Sequence, residues 1–313
     1  METTSVNQPI IYYFADYLKK NFNCAVQKIS INAGNSCPTR DGSKGYGGCT
    51  YCNISTFTPA YCLENSSVND QIKRGIQFFS GKKKNPKFLA YFQAYTNTYD
   101  ESSRLIEYFE SALQCDEIVG LIVGTRPDCI SDEILDYLEK KSKETYVAVE
   151  FGVESTDNTS LAKINRGHTF EDTRDAFRRS AKRGIHLGAH LIIGLPGESK
   201  EIMLSHAQKI STLPVDTLKL HHLQIVKGTI MAHQYLGSPQ DFNLMESIQY
   251  FDLIAEFIAH LRPDIAIERF ISQAPQNLLI APDWKGLKNH QTGRLIEQVM
   301  KEKKLFQGKY FQD

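Results

Sequence analysis

Three cysteines, Cys37, Cys49 and Cys52, stand in a glycine-rich segment that follows a strand-like run, Asn35-Ser36-Cys37-Pro38-Thr39-Arg40-Asp41-Gly42-Ser43-Lys44-Gly45-Tyr46-Gly47-Gly48-Cys49-Thr50-Tyr51-Cys52-Asn53. Two thiolates at Cys-x2-Cys spacing grip one metal centre from a single turn. A third, arriving from the other end of a loop, leaves one coordination position open where the centre is a four-iron cluster. An open iron binds and activates a small molecule. A second reading stays beside this one: with Cys62, ten positions after Cys52, the same residues make a four-cysteine set of the kind that holds a structural zinc. Against zinc, there is no second close pair, and the cysteines lead into a chain of strand and helix units rather than a small knuckle. Cys24, Cys115 and Cys129 flank apolar runs and read as buried small hydrophobes, and Cys62 also reads as structural.

The elements that must position this loop alternate. Apolar, β-rich runs at Ala25 to Ile31, Phe88 to Tyr95, Ile118 to Gly124, Tyr146 to Val153, His186 to Ile193 and Thr217 to Val226 predict strands buried on both faces. Between them Val68, Ile72, Ile76 and Phe79 share one helical face, as do Leu105, Ile106, Phe109 and Leu113. Ser131, Thr169 with Asp172 three positions on, and Ser199 after a Pro-Gly turn read as helix starts. Repeated βα units wind into a parallel barrel whose chemistry gathers at the strands' C-terminal ends, and Cys37 lies just past such an end. The expected organisation is an α/β fold, a partial parallel (β/α)6 barrel over residues 25–235. An N-terminal tail and helix over 1–24 precede it, and a C-terminal extension over 236–313 closes it. In that extension Met245, Ile248, Phe251, Ile254, Ile258 and Leu261 predict one face of a long helix that ends at Arg262-Pro263. Ala266 to Ile271 reads as a further strand, and Trp284 as a loop residue before a basic last helix.

Composition narrows the class. The 313 residues suffice for one large α/β domain with an extension, and the formal net charge of zero gives no whole-molecule argument for an acidic partner. Seven cysteines, an odd count without a signal-like N-terminus, and no apolar run of about 18 residues predict a soluble cytoplasmic protein with no membrane span.

Several motifs in order carry a family resemblance. Cys37-x11-Cys49-x2-Cys52 with Tyr51 before the last cysteine resembles the long-spaced cluster motif of radical S-adenosylmethionine (SAM) enzymes, in the branch holding the Elongator catalytic subunit and the oxygen-independent coproporphyrinogen oxidases. Gly124-Thr125-Arg126-Pro127-Asp128, Gly152-Val153-Glu154-Ser155, Asn165-Arg166-Gly167-His168-Thr169 and Gly194-Leu195-Pro196-Gly197-Glu198 follow in the family order. Nearer still, Phe92-Gln93-Ala94-Tyr95-Thr96-Asn97-Thr98 and Leu279-Ile280-Ala281-Pro282-Asp283-Trp284 resemble the bacterial radical SAM group labelled YtqA or YhcC.

The resemblance implies that Cys37, Cys49 and Cys52 hold a [4Fe-4S] cluster whose fourth iron binds SAM, and that an electron from a donor such as flavodoxin or ferredoxin cleaves SAM to a 5′-deoxyadenosyl radical. It places Tyr51 at the cluster and Gln93, Ala94 and Tyr95 where the family's glycine-rich segment meets the SAM ammonium. Glu154 matches a polar position at the cofactor, and Arg166 the arginine that pairs with the SAM carboxylate, a task suited to its charge-assisted fork. The Gly194 turn would let backbone approach the adenine. Gly124 stands where many relatives carry a cofactor-binding glutamate, and His190 where the coproporphyrinogen oxidases carry a ribose-binding aspartate. His190 reads as a ribose partner or a group acting near the substrate, or equally as a satisfied core histidine.

For the substrate, the resemblance points to transfer RNA, with conversion of wobble carboxymethylaminomethyluridine to aminomethyluridine by carbon–nitrogen cleavage. A small-molecule lyase acting on a modified base such as queuine is the alternative, and a zinc-stabilised binding module without turnover the non-enzyme reading. Lys82, Lys83, Lys84 and Lys87 and, near the C-terminus, Lys301, Lys303, Lys304 and Lys309 read either as phosphate contacts or as solvated surface.

Overall fold

A computed structural model describes residues 9–62, 66–80 and 86–312. In chain order its elements are α1 (Phe14–Asn21), β1 (Val26–Ile31), α2 (Val68–Phe79), β2 (Lys87–Phe92), α3 (Ser102–Leu113), β3 (Ile118–Thr125), α4 (Asp132–Ser142), β4 (Tyr146–Glu154), α5 (Asn158–Lys163) and α6 (Phe170–Ser180). They continue with β5 (His186–Ile193), α7 (Lys200–Ser211), β6 (Thr217–His222), β7 (Ile225–Val226), α8 (Ile230–Gly237), α9 (Ser247–His260), β8 (Ala266–Arg269), β9 (Leu279–Ala281) and α10 (Asn289–Glu302). Seven strands form one parallel sheet in the order β1-β2-β3-β4-β5-β6-β8. It is a curled partial barrel with helices on its outer face.

Each strand separates two environments. Phe88, Phe92, Leu121, Val149, Leu187 and Leu220 point outward and join Ile72, Phe109, Ile134, Phe177 and Ile254 of the helices in the main core. Full burial of such a side chain stabilises the fold by roughly 1.5 to 3 kcal/mol. Leu89, Tyr91, Ile122 and Ala148 belong to a second cluster, against which Leu18 of α1 and Phe22 pack. These two residues, with Val26 and Tyr146 at the strand starts, plug the N-terminal end of the barrel.

The helix starts behave as their caps predict. Ser131 Oγ accepts from Ile134 N at 3.2 Å and Ser199 Oγ from Ile202 N at 3.4 Å, and Thr169 with Asp172 forms a complete capping box.

The structure departs from the sequence expectation at identifiable points. Cys24 is exposed and Cys115 and Cys129 are only half-buried, so none is the buried small hydrophobe expected, whereas β8 is the expected further strand and adds to β6. The run 217–226 divides: β6 ends at His222, and β7 leaves the barrel to pair antiparallel with β9. The run 88–95 ends as strand at Phe92, and Tyr95 turns to φ +61. Helix α9 starts at Ser247 because Glu246 and Gln249 close a capping box, and Ile248 is exposed rather than on the buried face. Trp284 is buried, stacked on His222 at 3.9 Å with its Nε1 donating to the Met245 carbonyl at 3.2 Å.

Strands β1 and β8 are the sheet's two edges. They are linked across the interior by Lys28 Nζ to Glu268 Oε1 at 2.7 Å, while Ile267 N donates to the Tyr12 carbonyl at 2.8 Å along the outer side of β8. The two edges are thus joined by an ion pair rather than by a ladder. No helix among the described residues is long and apolar enough to cross a membrane.

Candidate active site

The cysteine loop leaves the C-terminal end of β1 and is closed by two tight turns, Arg40 N to the Cys37 carbonyl at 2.8 Å and Cys52 N to the Cys49 carbonyl at 3.0 Å. Gly47 and Gly48, both at positive φ, reverse the chain between them, and at Gly48 a Cβ would stand 3.0 Å from Arg40 Nε. Asn165 pins the far side, its Nδ2 donating to the Gly48 carbonyl at 2.8 Å. All three cysteines line one cavity of about 470 Å³ inside the barrel.

The same wall carries Tyr51, Gln93, Tyr95, Glu154, Arg166 and His190. Ala94 is buried beside the cavity without forming its wall, and Gly194 lies outside it, at φ +92 with Met245 Cε 3.1 Å from where a Cβ would stand. Gln93 Oε1 accepts from Ser30 Oγ at 3.0 Å, and the Arg40 guanidinium stands 5.5 Å from the Tyr95 ring centre.

Every nitrogen of the Arg166 guanidinium has a partner. Its Nη1 is 3.5 Å from Cys49 Sγ, its Nη2 donates to the Gly152 carbonyl at 2.7 Å, and its Nε donates to His168 Nε2 at 3.0 Å. Glu154 Oε1, on a residue held at φ +66, pairs with Nη2 at 3.5 Å. Gly152 leaves the space: a Cβ there would lie 2.6 Å from both Arg166 Nη2 and Glu154 Oε1.

Burial sets the electrostatics of the thiols. It pushes Cys37 up, against the pull of Thr96, whose Oγ1 is 3.0 Å from the sulfur, and of Arg166. Cys52 is pushed up to about 12 by burial and by Cys49 beside it. Cys62 faces elsewhere, its Sγ donating to the Ser30 carbonyl at 3.2 Å, and it is not on the cavity wall. Among the described residues no group of three or more His, Cys, Asp or Glu side chains could hold a single metal ion.

Two features escaped the sequence reading. Arg126, fully buried, forks onto Asp128 through Nε and Nη2 at 2.9 Å each, while its Nη1 has no hydrogen-bond partner and the residue lines the cavity. Deeper down, above the apolar plug, Lys28, Glu150, Lys219 and Glu268 close a ring of ion pairs. Lys28 Nζ reaches Glu150 Oε1 at 2.8 Å and Glu268 Oε1 at 2.7 Å, and Lys219 Nζ reaches Glu150 Oε2 at 2.5 Å and Glu268 Oε1 at 3.3 Å. Tyr91 OH lies 3.1 Å from Lys219 Nζ, and His190 Nε2 lies 3.0 Å from Glu150 Oε2. Burial alone would raise the Glu150 carboxyl, but Lys219 and Lys28 outweigh it and hold it well below the usual carboxylate range. Burial, with Lys219 nearby, keeps the His190 imidazole below its ordinary range. A signal existed: Lys28, Glu150, Lys219 and Glu268 each interrupt a strand that is otherwise largely apolar.

Of the lysine runs, Lys82, Lys83 and Lys84 lie outside the described residues. Lys87 Nζ donates to the Asp116 carbonyl at 3.1 Å, and Lys301 and Lys303 pair with Glu297 at 2.7 Å and Asp252 at 2.8 Å.

With this geometry in place, comparison with known proteins is specific. The radical SAM superfamily model matches residues 32–210 and the radical SAM C-terminal domain model matches 215–302. The chain is 32% identical over 302 residues to the uncharacterised protein YtqA of Bacillus subtilis, covering 96% of this chain and 93% of that one. It is 36% identical over 287 residues to YhcC of Escherichia coli K12, covering 91% and 90%. A tRNA uridine(34) acetyltransferase of Methanocaldococcus infernus is 26% identical over 192 residues, which are 60% of this chain and 34% of that protein. The solved archaeal Elp3 of Methanocaldococcus infernus superposes with a TM-score of 0.67 at 19% identity, covering 91% of this chain and 64% of that one. The partial barrel, the thiol-lined cavity and these matches converge: the chain belongs to the radical SAM superfamily and is an enzyme of that class, which uses a [4Fe-4S] cluster and SAM and needs a reductant.

Proposed function

We propose that this enzyme modifies the wobble uridine of transfer RNA, converting carboxymethylaminomethyluridine to aminomethyluridine. The observation that carries the reading is the single cavity in which Cys37, Cys49 and Cys52 meet the strand-end residues Gln93, Tyr95, Glu154 and Arg166 above an open polar floor. A relative whose name places it at uridine 34 of transfer RNA supports the substrate class, although this chain spans only about a third of that protein.

The residues suit the cofactors. Burial disfavours thiolates at Cys37 and Cys52 unless cationic charge compensates, which iron supplies. Buried Arg126, whose Nη1 is unpartnered, lines the same cavity and would supply a donor to an anionic group there. Cys37, Cys49 and Cys52 would hold the cluster, with Tyr51 beside them. Arg166 would give its fork to the SAM carboxylate, exchanging part of its contact with Glu154, and the Gln93 to Tyr95 backbone and Glu154 would take the ammonium. His190 faces Glu150 rather than the cysteine loop, which favours a substrate-side role over a ribose contact. When bound, cluster and SAM supply a 5′-deoxyadenosyl radical. The electron donor is proposed to be a flavodoxin or ferredoxin.

Anaerobic reconstitution with iron and sulfide, followed by incubation with SAM, a reductant and transfer RNA from a strain lacking this gene, tests the reading. Nucleoside mass spectrometry is expected to show carboxymethylaminomethyluridine falling as aminomethyluridine rises. Unchanged transfer RNA alongside consumption of a free modified base would replace it with the small-molecule lyase.

A further inference from the structure

The ring of Lys28, Glu150, Lys219 and Glu268 occupies the floor of the cysteine-lined cavity, and nothing in the cofactor chemistry above it uses these four charges. Along β4, Glu150 precedes Glu154 by four residues, so the ring sits roughly 13 Å below the cofactor level at about 3.3 Å per residue. Both levels line the same cavity.

Desolvating four charges is costly, and a well-packed apolar floor of the same volume would commonly be as stable or more so. The fold nevertheless makes room for them. Gly188 faces Glu150, and a Cβ there would lie 3.0 Å from Glu150 Cγ and 2.9 Å from Thr217 Oγ1. The lysine ammonium groups also stand over the Tyr91 ring, at 5.1 Å for Lys28 and 4.5 Å for Lys219. Two positive and two negative groups alternate around the ring, so its net charge is zero.

That neutrality restricts the guest. A lone anion would pair with the lysines and leave carboxylates buried without compensation, and a lone cation would do the reverse. Either leaves buried charge unpaired, which is strongly unfavourable. A guest bearing both an ammonium and a carboxylate exchanges partners with the ring without changing the buried net charge, because its carboxylate takes ammonium groups as its ammonium takes carboxylates. We infer that the ring is the recognition site for a small zwitterion, a glycine-like ammonium carboxylate presented by the substrate. This inference rests on the proposed function and deepens it, since the carboxymethylaminomethyl group is an N-substituted glycine whose secondary amine is protonated at neutral pH.

The test uses the reconstituted, SAM-bound protein under anaerobic conditions, with binding followed by saturation-transfer NMR. The probes are N-methylglycine, acetate and dimethylammonium. N-methylglycine is expected to bind at least tenfold more tightly than either singly charged probe. Lys219→Met and Glu150→Gln are each expected to weaken it at least tenfold while cluster absorbance and circular dichroism stay as in the parent. Equal binding of the three probes, preference for a single charge, or no N-methylglycine binding overturns the inference, and the parent comparison decides it even where a variant fails to fold. Unaltered N-methylglycine binding in both variants, folded and cluster-loaded, also overturns it. Zwitterion binding with unmodified transfer RNA would leave this inference standing while the transfer RNA reading falls. Converted transfer RNA without zwitterion binding would do the opposite.

Discussion

Arg166 lies against Cys49, its Nη1 3.5 Å from the sulfur, while Nη2 of the same guanidinium is held by the Gly152 carbonyl at 2.7 Å. The fork therefore stands beside a proposed cluster ligand. Replacing Arg166 with alanine removes charge-assisted bonds worth roughly 1.5 to 3 kcal/mol, which is about 10- to 150-fold in SAM affinity. Arg166→Lys should recover little, because an ammonium cannot serve Gly152, His168 and a carboxylate from one plane. Anaerobic calorimetry on cluster-loaded variants measures this. SAM affinity equal to the parent's in Arg166→Ala would remove Arg166 from the cofactor site.

The crowding at Gly152 makes a sharper prediction about the same group. A methyl there would stand 2.6 Å from Arg166 Nη2, so Gly152→Ala must displace the guanidinium without altering its chemistry. The variant should lose SAM affinity by at least tenfold, about 1.4 kcal/mol, with iron content unchanged. Parent-like affinity would mean that the fork's present placement is irrelevant to SAM.

Replacement of Cys37, Cys49 or Cys52 by alanine should each abolish the iron–sulfur absorbance, since three thiolates are needed to leave one open iron. Cys62→Ala should keep it and cost about 1 kcal/mol of stability, because Cys62 spends its thiol on the Ser30 carbonyl at 3.2 Å. Iron and sulfide analysis of the four variants checks this. Loss of cluster in Cys62→Ala, with zinc retained by the parent, would restore the four-cysteine structural site.

What was readable in the sequence follows a physical line. The strands were legible because burial on both faces leaves nearly unbroken apolar runs, and the cysteine loop because its ligands are neighbours in sequence. Strand ends were less so: at Tyr95 the chain turns to φ +61, which no apolar pattern announces. The members of the ion ring were legible only singly, because Lys28 and Glu268 are 240 positions apart and meet only through the curl of the sheet. Arg126 and Asp128 were noticed as part of a motif, but an unpartnered Nη1 is a property of packing and leaves no mark on composition.

His222 gives the fold an acid-sensitive point. Buried beside Trp284, with Nδ1 accepting from Ser272 N at 3.1 Å, it is pushed down to about 3 by burial. Between its unfolded value near 6.5 and that folded value, the unfolded chain binds a proton that the folded chain refuses, so stability falls as pH drops through this window and is fully present above it. At pH 5 the loss from this group is about 2 kcal/mol. His222→Gln, which cannot titrate, should shrink the stability difference between pH 7 and pH 5 by that amount in urea unfolding. An unchanged difference would show that His222 does not control it.

The lysines of the last helix make the final prediction, and their ion pairs decide its size. If this patch tracks an RNA backbone, each lysine that releases counterions should contribute roughly 0.7 to 0.9 to the slope of log affinity against log salt. Lys301 and Lys303 already face Glu297 and Asp252, and part of their charge is spent there. Replacing Lys301, Lys303 and Lys304 together with glutamine should therefore lower the slope by roughly 1, well short of the full value for three. Reductive SAM cleavage without RNA should not change, because none of the three lines the cavity that holds the cysteines. Transfer RNA binding measured across salt concentrations separates the outcomes: a slope equal to the parent's would place the RNA footprint elsewhere, and impaired SAM cleavage would show that the last helix reaches the cofactor site after all.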